Sequence, residues 1–193
     1  APADVLSELA SRMGLQTWRD NAGEAIGWKS PGDPNARYRM LVFHGNAGYA
    51  LNRDYFVTGL RALGSQWDVF LFEYPGYGAR EGTPSEVNFK ATATQALKAL
   101  LAIDSRPVFI TGESLGSGVA SFLASTFPND VAGLLLVSPF SSLGDVGAHH
   151  YPVLPGRTLL SERYDSREAL SHYGGPGAFL LAGRDEVVTI ELG

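Results

Sequence analysis

The sequence contains no cysteine. That removes disulfides, thiolate metal sites and a cysteine nucleophile, although it does not assign a compartment. No apolar run approaches the length needed to span a bilayer. Charged residues make up only 18% of the chain, with 15 basic and 20 acidic side chains and no long run of either sign. A net charge of −5 without a basic stripe argues against nucleic acid or an anionic membrane surface as the main partner. Only four histidines are present. The adjacent pair, His149 and His150, diverges on either a helix or a strand, so metal chemistry has little support. A phosphate-binding loop is also missing, because serines stand between Gly112 and Gly118 where such a loop needs lysine.

What is present is a globular composition. Hydrophobic residues reach 45% over 193 residues, enough for one domain spanning 1–193 with a substantial core. Four continuous apolar runs read as buried strands: "YRMLVFHG" (38–45), "WDVFLFEY" (67–74), "PVFIT" (107–111) and "VAGLLLVSP" (131–139). "GAFLLAGRDEVV" (177–188) gives a fifth. Helical segments alternate with them: 51–64 closed by Gly64, a stretch from Thr83 to about Ile103, and 115–127. Thr83 is read as the cap of the second helix, with Pro84 at its first position and Glu86 completing a capping box. "TWRDNAGEAIGWKS" (17–30) predicts an antiparallel hairpin around Asn21-Ala22-Gly23. The pattern predicts an α/β fold whose sheet is mostly parallel, with helices on both faces and an antiparallel start. Ligands of such sheets collect at the carboxyl ends of the strands.

Gly112-Glu113-Ser114-Leu115-Gly116 sits where the strand 107–111 turns into the helix 115–127. G-x-S-x-G is weak alone, but it requires a strand before it and a helix after it, and both are predicted. The glycines let neighbouring backbone approach a tight turn that exposes the Ser114 hydroxyl, the candidate nucleophile. The Leu115 amide, in the first helical turn, is a candidate oxyanion donor. His44-Gly45-Asn46-Ala47-Gly48 ends another strand at the same sheet edge, and the Asn46 amide is the second candidate donor. His44 directly precedes that turn and is read as a structural histidine bonded to loop backbone. Asp185, just past the last strand, can reach across the sheet edge to orient an imidazole.

Taken in order, "HGNAG", "YPGYGAREGTPSE", "GESLGSG", "SPFSSL", "HHYPVLP", "RYDS" and "GRDEVV" resemble the α/β-hydrolase superfamily. The likeness is to its small serine hydrolases, the branch of α/β-hydrolase-domain lipases, thioesterases and serine-peptidase-like proteins. It runs from about residue 17 to the C-terminus. The resemblance implies Ser114 as nucleophile, Asp185 as acid, and Asn46 and Leu115 as oxyanion amides, with no cofactor. It also implies a short cap over residues 139–176, with Tyr49, Tyr77, Phe140 and Tyr151 lining a pocket for an acyl ester, thioester or peptide-like substrate.

In that superfamily the catalytic histidine follows the acid, yet no histidine lies among the eight residues after Asp185. Two readings follow. The chain is a fragment lacking the last strand and helix of the fold, or it is a scaffold or binding module without a base. The fragment reading rests on "AFLLAG", which would otherwise be a flat apolar edge strand with no charge or proline to block pairing. The chain also opens on Ala1 rather than methionine, which is compatible with a removed signal or anchor. Leaving group, localisation and oligomeric state stay open.

Overall fold

A computed structural model of the protein describes residues 2–140 and 165–181. Among these residues a seven-stranded sheet runs in the order β1-β2-β4-β3-β5-β6-β7. Its strands are β1 (Gln16–Arg19), β2 (Ala25–Lys29), β3 (Tyr38–Phe43), β4 (Trp67–Phe72), β5 (Val108–Glu113), β6 (Val131–Val137) and β7 (Gly177–Leu180). The first three pairings from β3 outward on the β7 side, and β3 with β4, are parallel. Only β1 with β2 and β2 with β4 are antiparallel, the start expected from the hairpin sequence. Its turn is closed by Asp20, whose carboxylate accepts from the amides of Ala22 (3.0 Å) and Glu24 (2.8 Å).

Helices cover both faces, as continuous apolar strands demand. α3 (Glu86–Leu101) and α4 (Leu115–Thr126) pack with Leu41, Phe43, Phe70, Phe72, Ile110 and Leu136 on one face. On the other, α1 (Ala3–Arg12) and α2 (Asp54–Ala62) bury Leu6, Ala10 and Val57 against Trp28, Met40, Val42, Val69 and Leu71. β3 and β4 are buried on both sides except at their first residues.

Three features differ from the sequence reading. The stretch 51–64 is a 3₁₀ turn (Ala50–Arg53) followed by α2, not one helix. The cap of α3 is Ser85 rather than Thr83: the Ser85 hydroxyl accepts from the Asn88 amide at 3.1 Å. Pro84 thus stands before the cap, and the Thr83 carbonyl instead accepts from Asn88 Nδ2 at 2.8 Å. α1 has no counterpart in the sequence reading, nor has α5 (Ser166–Ser171), a short helix inside the expected cap segment.

At the amino edge of the sheet Arg39 is fully buried at the start of β3. It donates to the carbonyls of Leu100, Asp104 (3.1 Å) and Arg106. These bonds close the C-terminal end of α3 and the loop leading into β5. Arg106 in turn reaches Asp68 Oδ2 at 2.7 Å and Asp104 Oδ2 at 2.9 Å.

Candidate active site

The carboxyl edge is built differently, from glycine and aromatic residues. β5 ends at Glu113 and α4 begins at Leu115, leaving Ser114 as the single hinge residue between them, at φ 50° and ψ −117°. A side chain rarely tolerates positive φ, and such strain costs about 1–3 kcal/mol unless the surroundings enforce it. The enforcement is visible. Ser114 N donates to Val137 O at 2.9 Å, and Ser117 N to Ser114 O at 2.8 Å. A Cβ on Gly112 would overlap the Gly116 carbonyl, and one on Gly116 would overlap the Phe43 carbonyl at the end of β3. Both glycines are therefore steric requirements of the turn.

Ser114 occupies the N-cap position of α4 yet makes no side-chain capping bond. A serine there ordinarily turns its oxygen back onto the first helical amides. Beside it, the Leu115 amide, first in the helix, has no preceding turn to accept from it. Ser138 is the only other non-glycine residue at positive φ among the described residues, and it too follows a strand end at this edge. Its amide donates to Leu180 O at 2.8 Å. Sequence reasoning did not find it, because no glycine pattern marks it.

Loop 44–48 faces the elbow, since a Cβ on Gly45 would stand 3.4 Å from the Ser114 Cβ. Its hold is dense. His44, buried, has Nδ1 2.7 Å from Gly45 O and Nε2 3.0 Å from Glu73 Oε1. With both ring nitrogens engaged, His44 has none free for Ser114, in keeping with a structural role. Glu73 also accepts from the Ala50 amide at 3.1 Å. Tyr74 donates to the His44 carbonyl at 2.9 Å, and Tyr77 donates to Asn46 Oδ1 at 2.5 Å. The "EYPGY" run after β4 thus clamps the loop that carries Asn46. Burial, then the nearby Glu73 carboxylate, pushes the Tyr77 phenol above its ordinary value, so it remains a donor.

Tyr77 and Asn46 are brought together, and Asn46 stays exposed at the loop tip. Tyr49 is half-buried, with its amide donating to Asn52 Oδ1 at 3.0 Å. Phe140 is 2% exposed and belongs to the core that packs around α3 and α4. Asp185, Tyr151, His149 and His150 lie outside the described residues. His172 ends α5, exposed, its Nδ1 3.0 Å from Glu168 O. No group of three or more metal-ligating side chains occurs among the described residues, and none of their helices is long and apolar enough to cross a membrane.

A sequence model described as the alpha/beta hydrolase fold matches residues 38–166. The uncharacterized protein Rv2307c of Mycobacterium tuberculosis is 40% identical over 156 residues, covering 79% of this chain and 54% of its own. The lysophosphatidylserine lipase ABHD12 of Danio rerio is 31% identical over 198 residues, covering 91% of this chain and 50% of its own. The chain spans about half the length of these curated relatives. Among solved structures, the Pyrococcus furiosus esterase Pf2001 superposes with a TM-score of 0.66 at 14% identity, over 95% of this chain and 77% of that one. Est1E of Butyrivibrio proteoclasticus, bound to ferulic acid, gives 0.68 at 13% identity, over 92% and 78%. At such identities the likeness is one of fold.

Proposed function

The chain belongs to the alpha/beta hydrolase fold family, and from that premise we propose that it is a serine hydrolase cleaving carboxylic esters through an acyl-enzyme on Ser114. The observation that carries the reading is the strained Ser114, whose hydroxyl makes no capping bond although it stands at an N-cap. Such strain persists at positions that use it, and a nucleophile elbow would use it to present the Ser114 hydroxyl at the sheet edge.

In this mechanism Ser114 Oγ attacks the acyl carbonyl carbon while an imidazole within hydrogen-bond reach accepts its proton. The carbonyl oxygen becomes an oxyanion between the amides of Asn46 and Leu115. The imidazolium then protonates the departing alcohol, and water deacylates Ser114 by the same steps in reverse. Asp185 fixes the tautomer of the imidazole. The reaction calls on no cofactor. Thioesters and peptide-like acyl groups suit the same machinery, because the fold itself does not select the leaving group. The name of the Danio rerio relative makes lysophospholipid esters the first natural substrates to try.

The test is fluorophosphonate labelling of the full-length protein. One adduct on Ser114, lost in Ser114→Ala together with at least about 10⁴-fold of kcat on an aryl ester, is the expected result. A wild-type protein that neither takes the label nor hydrolyses esters would instead be a binding scaffold, and the proposal would fall.

A further inference from the structure

Glu113, between Gly112 and the candidate nucleophile, does not turn to solvent. Arg53, the last residue of the 3₁₀ turn, meets its carboxylate with two nitrogens: Nη2 to Oε1 at 2.6 Å and Nε to Oε2 at 3.1 Å. The remaining nitrogen, Nη1, donates to the Ala47 carbonyl at 3.2 Å. A Cβ on Gly45 would lie 3.4 Å from Arg53 Nη2, and one on Gly48 would lie 3.3 Å from Nη1. The guanidinium therefore runs along loop 45–48 from end to end, while its far edge grips the residue before Ser114. Tyr55 adds its hydroxyl to Glu113 Oε2. Burial, then the Glu113 carboxylate, holds that phenol above its ordinary value, so Tyr55 stays a donor. The Arg53 side chain is 12% exposed and that of Glu113 is 22%, which separates this pair from screened surface ion pairs.

The position matters because the β3–β5 ladder ends at Phe43 and Gly112. Past that rung, loop 44–48 leaves β3, while Glu113 and Ser114 stay tied to Val137 of β6, so no ladder bond joins the loop to the elbow. Oxyanion stabilisation depends on donors held within a few tenths of an ångström of the developing charge. A planar fork with five donors can fix two partners at once, which an ammonium cannot.

We propose that Arg53, locked by Glu113, is a positioning residue that sets the distance between the Asn46 amide and Ser114. The inference rests on the serine-hydrolase reading and gives the otherwise free second position of G-x-S-x-G, Glu113, a task. Arg53 does not touch substrate; it acts through the Ala47 carbonyl, one residue from the proposed donor.

The experiment uses full-length protein with Arg53→Met, Arg53→Lys, Glu113→Gln and the Met/Gln double variant. For each, kcat per phosphonylatable site and KM are measured on an aryl ester, with the inhibition constant of an alkyl boronic acid, which forms a tetrahedral adduct on serine. Arg53→Met is expected to lower kcat about 10- to 100-fold, leave KM within about twofold, and weaken the boronate by a factor parallel to kcat. Arg53→Lys restores part of the loss, and the double variant is no worse than Arg53→Met alone. A merely structural pair would cost melting temperature and active fraction but leave kcat per site and boronate affinity untouched, and that result overturns the proposal. Losses that multiply in the double variant overturn it as well. Should Arg53→Met fail to fold, the nearly isosteric Glu113→Gln carries the same comparison. If wild-type protein labels on Ser114 and turns over while these variants match it, the inference fails alone. If wild type does not label, it fails together with the reading beneath it.

Discussion

Among the described residues two serines stand at helix N-caps, and they behave in opposite ways. Ser85 bonds back to the Asn88 amide, whereas Ser114 makes no such bond and takes a positive φ. If the Ser114 backbone is held in a strained conformation by its neighbours, removing the Cβ should relieve it. Ser114→Gly is therefore expected to be more stable than Ser114→Ala by about 1 kcal/mol, read from urea midpoints, despite glycine's greater unfolded-state freedom. Equal midpoints would mean that the turn is unstrained. The elbow was legible in the sequence because its steric demands fall on Gly112 and Gly116, within two residues of Ser114. The clamp around it was not. Arg53 and Glu113 are 60 residues apart, and Glu73 and His44 are 29 apart, so no local pattern could pair them. A charge ending the apolar run "VFLFE" was the one available hint of Glu73.

At the scale of elements, the strands and the hairpin were readable because burial on both faces leaves uninterrupted apolar runs, and because turn chemistry is local. Helix starts were less so. Thr83 and Ser85 both suit a cap, and Pro84 fits either as the first helical residue after Thr83 or as the residue just before a Ser85 cap. The choice is made by Asn88, whose amide bonds Ser85 and whose side chain takes the Thr83 carbonyl. Ser85→Ala should accordingly cost about 1 kcal/mol and Thr83→Ala no more than about 0.5 kcal/mol in chemical denaturation. The reverse order would restore Thr83 as the cap. α1 is a different case: Leu6, Leu9, Ala10 and Met13 recur at helical spacing and pack into one cluster, so its signal was present in the sequence although the reading did not use it.

Over the whole molecule, the two edges of the sheet divide their work. The carboxyl edge concentrates glycine, strain and phenols around the Arg53–Glu113 pair, while the amino edge is tied by the network of Arg39, Arg106, Asp68 and Asp104. Asp104 is held below its usual value of 3.8, first by its hydrogen bond from the Arg106 side chain. Its folded-state pKa is thus lower than its unfolded one, so its stabilisation is complete above about pH 4 and fades as pH falls through the lowered value. Asp104→Asn should therefore destabilise the protein at neutral pH and approach wild type in stability as the solution is acidified below about pH 4. A stability gap that does not narrow with acid would remove Asp104 from this role.

Arg39 has a further consequence for the time at which the sheet can close. The carbonyls that receive its charge belong to residues 61, 65 and 67 positions later in the chain. On a ribosome, β3 emerges well before they exist, and a guanidinium sealed into apolar surroundings without acceptors is strongly disfavoured. A chain that stops short of Leu100 therefore offers this guanidinium none of its three carbonyl acceptors, and the buried end of β3 is expected to seal only when the loop before β5 is in place.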